Sequence, residues 1–139
     1  MRITDGLSPE KVFYYFEEIS KIPRGSGNTK EISDYCVKVA ESHGFKYLQD
    51  NSNNCIIFAP PVGCDKTEPI LLAGHLDMVC EKAPDCTKDM EKEGIDLTVD
   101  GDNISAVGTT LGADDGIAVA MILALLDSDN KRPPVEAVF

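Results

Sequence analysis

The chain has 139 residues, 42% of them hydrophobic, which suits one domain with a real core and excludes disorder. Its formal net charge of −11 and its pI near 4.5 argue against nucleic acid and anionic membrane surfaces as partners, because both select basic patches. The opening MRITDGLSPEK has no apolar signal segment, and the longest apolar run, Ile117 to Leu126, is too short to span a bilayer, so a cytoplasmic setting is expected.

Ser8-Pro9-Glu10 reads as a helix start, with a hydroxyl N-cap, proline in the first turn and an acid behind it. Val12, Phe13, Phe16, Ile19 and Ile22 follow with helical spacing, and Pro23 ends the element. RGSGN is a loop. Asn28, with Glu31 three residues on, has the form of a capping box. Ile32, Cys36, Val39 and Ala40 line one face of a second helix that closes at Gly44, and His43 sits at its C-terminus, where a cationic ring suits the helix dipole.

Strands are predicted at Phe45 to Gln49, Cys55 to Ala59 and Ile70 to His75, the last as a buried strand. IDLTVDGDNISAV alternates on both sides of Asp100-Gly101, a hairpin signal. After the loop GTTLGADDG comes a third helix, from about Asp115 to Leu126, apolar nearly all round and therefore expected to be buried. Val135 to Phe139 reads as a strand whose exposed end would favour self-association, so a homo-oligomer stays open. Helices alternating with apolar strands imply a layered α/β domain with a mixed sheet.

The five cysteines, Cys36, Cys55, Cys64, Cys80 and Cys86, are odd in number and form no C-x-x-C pair. Reduced thiols are expected; the spacings are wrong for a structural zinc knuckle.

Two clusters carry chemistry. PILLAGHLDMVCEK places His75 and Asp77 at the end of an apolar run, where ligand sites of α/β sheets lie. On a continuing strand the two side chains would share a side. Neutral imidazole is a common metal ligand and needs an orienting partner, which a nearby carboxylate supplies. The plainer alternative is a histidine satisfied by a local hydrogen bond. In LGADDGIAVA, one of Asp114 and Asp115 is accounted for as a helix cap, and the other is free to bind a cation.

GHLDMVCEK together with GTTLGADDGIAVA resembles the aminoacyl-histidine dipeptidases (peptidase D, Xaa-His dipeptidase), in the two-zinc aminoacylase and carboxypeptidase group of metallopeptidases. ISKIPRGSGN and the VDGD hairpin fit the same pattern, so the resemblance runs from about Leu7 to Phe139. It implies an α/β/α zinc-peptidase-like fold, of which residues 1–139 are the N-terminal part of the catalytic domain. It implies His75 and Asp114 as metal ligands, Asp77 as the catalytic residue that orients the histidine, and Asp115 as a helix cap or a carboxylate supporting the ligands from behind. The expected cofactor is a pair of divalent ions, zinc first, with cobalt or manganese as substitutes. The expected substrate is a small peptide, a dipeptide ending in histidine. The family's Glu-Glu pair, a further acidic ligand and a second histidine are expected beyond Phe139, so the 139-residue chain is expected to be inactive by itself. The rival readings are a tripeptidase or N-acyl-amino-acid deacylase with the same chemistry, and a non-catalytic α/β module that binds a metal or a partner.

Overall fold

A computed structural model describes the whole chain, Met1–Phe139. In chain order the elements are α1 (Glu10–Ser20), α2 (Lys30–Ser42), β1 (Lys46–Gln49), β2 (Cys55–Ala59), β3 (Ile70–Ala73), β4 (Leu97–Asp100), β5 (Asn103–Ala106), α3 (Ala113–Leu126) and β6 (Val135–Val138). Four strands form one mixed sheet in the order β1-β2-β6-β3, antiparallel except for the parallel β6–β3 pair. This is the layered α/β arrangement with a mixed sheet that the alternation of elements implies.

One core holds it together. Cys55, Ile57 and Ala59 of β2 and Val135 and Ala137 of β6 alternate inward. They meet Phe16 and Ile19 of α1, Ile32 and Cys36 of α2, and Val119, Leu123 and Leu126 of α3. Full burial of each aliphatic side chain contributes about 1.5–3 kcal/mol, so this cluster holds the helices against the sheet. All five cysteines are free thiols.

The hairpin forms as read, with Asp100 paired to Asn103 and Gly101 at φ 57°, the positive φ that a type II′ turn requires of its first loop residue. The helix starts differ. Neither Ser8 nor Asn28 caps a helix: Pro9 and Thr29 occupy the cap positions, without side-chain hydrogen bonds, and the Asn28 amide donates instead to the Glu91 carbonyl. His43 lies at the α2 C-terminus as expected, where its ring bonds the Val39 carbonyl and Asp127.

Two strand expectations need correction. The apolar run from Ile70 is not buried: β3 is an edge strand, with Ile70 42% and Leu71 64% exposed. It does pair in parallel with β6, as continuous apolar strands do, but only on one side. The strand from Val135 lies inside the sheet, paired with β2 and β3, so the open edges belong to β1 and β3. The third helix is buried on one side only; Ile117 and Met121 face outward.

One loop contact makes a stability prediction. A Cβ on Gly94 would lie 2.4 Å from the main-chain carbon and oxygen of Lys21, at the end of α1, where Ile95 donates to the Ser20 carbonyl. Backbone cannot move aside as a side-chain tip can. Gly94→Ala is therefore expected to destabilise the fold by about 1–3 kcal/mol in urea unfolding, in the range of overpacked cores. A change within experimental error would show that this loop is not seated on α1.

Candidate metal centre

β3 ends at Ala73, so His75 and Asp77 lie on a loop and not on an extended strand. Their approach is made by the loop itself. His75 Nδ1 donates to the Asp77 carbonyl at 2.9 Å and lies 3.1 Å from the Asp77 carboxylate. The other ring nitrogen, Nε2, faces Asp114 Oδ1 at 3.0 Å. Asp114 and Asp115 have non-helical backbone angles at the start of α3, which turns the Asp114 side chain out of the helix toward the histidine. The structure thus brings His75, Asp77 and Asp114 together at one edge of the sheet.

Asp115 does not cap. Its carboxylate makes no hydrogen bond to the helix, whose formal cap is Gly112. It lies instead against Gly74, with Oδ2 3.2 Å from the place a Cβ would take there. A side chain at that position would press on the carboxylate just before His75.

The charges follow the contacts. The Ser26 hydroxyl, donating to Asp77 Oδ2, holds the Asp77 carboxyl below the usual carboxylate range; slight burial opposes this, and His75 adds to it. His75 is raised, first by the Asp114 carboxylate, against slight burial, and then by the carbonyl and carboxylate of Asp77. The site is open, with the His75 and Asp114 side chains 52% and 97% exposed.

The two motif loops are also zipped together away from the cluster. Thr110 donates its main-chain N–H to the Glu81 carbonyl at 2.9 Å and its hydroxyl to the Val79 carbonyl at 2.6 Å. One concavity, about 760 Å³ and lined by Val12, Leu72 and Met121 among others, contains none of the three site residues. Its lining is mostly apolar, so the site is identified by its donors.

The donor set fits part of a metal site. Two ligands held about 2.0–2.2 Å from one ion lie roughly 3 Å or more apart, which is the spacing of His75 Nε2 and Asp114. Nδ1 is anchored, which leaves Nε2 aimed outward as metal-binding histidines require. No group of three or more His, Cys, Asp or Glu residues is arranged to hold an ion.

Sequence reasoning missed Ser26 and Arg24. RGSGN reads only as a loop. In the structure Ser26 bonds Asp77, and Arg24 is buried behind the site. Neither contact has a residue-type signature, because serine and arginine are ordinary loop residues.

No family model matches the chain. It is 38% identical over 125 residues to the cytosol non-specific dipeptidase of Escherichia coli (strain K12), covering 89% of this chain and 26% of that protein. The fold is similar to the crystal structure of the aminoacylhistidine dipeptidase from Vibrio alginolyticus, with a TM-score of 0.93 and 34% identity over 99% of this chain and 28% of that one. A tripeptidase from Staphylococcus aureus shares the fold at a TM-score of 0.73 and 20% identity, over 93% of this chain and 35% of that one. The chain spans about a quarter of the length of the two dipeptidases, 26% and 28%. By sequence and by fold, over nearly all of its own length, the chain is similar to the dipeptidases that its two motifs resemble.

Proposed function

We propose that the chain is the N-terminal part of the catalytic domain of a longer cytosolic, metal-dependent dipeptidase. One observation carries the reading. His75 Nδ1 donates to Asp77 and Nε2 faces the Asp114 carboxylate at 3.0 Å, so whenever the ring is neutral Nε2 presents a lone pair to that carboxylate. Two acceptors at that distance repel unless a proton or a cation lies between them. In the open site of a peptidase relative, a divalent cation is the occupant that gives the arrangement a purpose.

His75 Nε2 and Asp114 would hold the ion, with zinc proposed first and cobalt or manganese as substitutes. A bound ion of this kind polarises a scissile carbonyl and lowers the pKa of bound water. The chain's residues do the positioning. Asp77 fixes the tautomer and orientation of His75 through Nδ1, and its charge raises the basicity of the ring. Ser26 holds the far oxygen of Asp77, so the carboxylate cannot rotate away. Asp115 sits behind His75 against Gly74. The general base and remaining ligands are proposed to come from other parts of the full-length protein.

The substrate is proposed to be a dipeptide, with Xaa-His favoured by the likeness to the Vibrio aminoacylhistidine dipeptidase. The test is a panel of dipeptides, tripeptides and N-acyl amino acids on the full-length protein, with and without chelator. Chelator-sensitive cleavage confined to dipeptides is expected. Preference for tripeptides or acyl amino acids would move the assignment to the rival hydrolases, and no cleavage at all would favour a binding module.

A further inference from the structure

Arg24 is 1% exposed and is among the largest fully buried side chains of the chain. Its two acceptors are both main-chain carbonyls: Nη1 donates to Leu76 at 3.0 Å and Nη2 to Gly112 at 2.6 Å. Nε is buried without a partner. A guanidinium stays charged, and burying one against carbonyls alone costs several kcal/mol that an apolar residue would avoid. Core packing gives no reason for that cost.

The two carbonyls give one. Leu76 lies between His75 and Asp77, and Gly112 lies two residues before Asp114. Arginine's donors form a rigid planar fork, so holding both carbonyls fixes their separation. The main chain of Arg24 joins the same assembly, its carbonyl accepting from the Met78 N–H at 3.0 Å, with Gly25 bridged in parallel to Met78. Thr110 ties the far ends of the two motif loops; Arg24 ties the near ends, beside the reacting groups. Glycines make room for it. A Cβ on Gly112 would lie 2.7 Å from Nη2, and one on Gly116 would lie 2.5 Å from it.

We propose that Arg24 is the positioning residue of this site: its buried fork, shared between the Leu76 and Gly112 carbonyls, sets the distance between His75 and Asp114. The inference rests on the metal-centre reading for its purpose, but its geometric content stands apart from it. Arg24 touches neither substrate nor ion and acts through the two loops.

The test uses the full-length protein with Arg24→Met, Arg24→Lys and Gly116→Ala. Methionine removes charge and donors. Lysine keeps the charge but not the fork. The Gly116 variant leaves arginine in place and pushes Nη2 off the Gly112 carbonyl, while alanine suits a helix interior. Two quantities are read: the His75 Nε2–Asp114 separation in metal-free crystals, and cobalt affinity from the visible absorption of bound Co²⁺. All three variants are expected to open the separation beyond hydrogen-bonding reach and to weaken cobalt binding about 10–100-fold, the usual effect of disturbing groups that orient metal ligands. Lysine should not rescue; rescue by lysine would reduce Arg24 to a buried charge and overturn the proposal. So would an unchanged separation. If Arg24→Met does not fold, Gly116→Ala decides the matter by the same two readings. If the unaltered protein binds no cobalt in a His75-dependent way, the metal-centre reading fails, and the metal-free separation alone decides the role of Arg24.

Discussion

Asp77→Ala in the full-length protein is expected to lower turnover about 10–100-fold while leaving metal content close to that of the unaltered protein. The split follows from the two acceptors of His75 Nδ1. The Asp77 carbonyl, at 2.9 Å, belongs to the main chain and survives the substitution; only the carboxylate, at 3.1 Å, is lost. The ring therefore keeps one anchor and its tautomer, and Nε2 still points toward Asp114. What disappears is the negative charge beside the imidazole and the Ser26–Asp77 hydrogen bond that holds it. Metal analysis and kinetics on the same preparation separate the effects. Equal losses in both would make Asp77 a plain structural or ligating residue, and unchanged turnover would remove it from the mechanism.

The second large effect concerns the 139 residues alone: with zinc, cobalt or manganese supplied, they are expected not to hydrolyse dipeptides. On the proposed reading His75 and Asp114 would give one ion two protein donors, and no group of three or more His, Cys, Asp or Glu is arranged to hold an ion. A two-metal hydrolase needs several ligands for each ion and a base for the water. Weak divalent binding without turnover is the expected outcome of a metal titration followed by an Xaa-His assay. Robust metal-dependent turnover would falsify it and send the search for the base to Glu81, Asp115 or Glu136.

The motif residues were legible because their types are rare here and chemically loaded. With two histidines in the chain, one beside Asp77 stands out, and the other is explained by its helix end. β2 was legible from Cys55 to Ala59 as a short continuous apolar run, and there the run is covered, its inward positions buried and both its edges paired. The exposure of β3 was not, because an apolar run records what a strand avoids and not whether anything covers it. Nor was the arrangement of His75 and Asp77: a strand would have put them side by side, but the strand stops at Ala73 and the loop does the work through a main-chain carbonyl. Carbonyl contacts are invisible in sequence for the same reason that Arg24 was, since every residue carries one. The caps failed on competition. Asn28 has the right side chain for a cap, but the Glu91 carbonyl offers its amide another partner.

The central claim is that His75 and Asp114 share one metal ion. The most direct measurement is a zinc anomalous difference map from crystals of the full-length protein. The structure predicts a peak about 2.0–2.2 Å from both His75 Nε2 and an Asp114 oxygen, with Asp77 still bonded to Nδ1. A map with no peak between them, or with the ion held by Asp115 while Asp114 faces away, would contradict it.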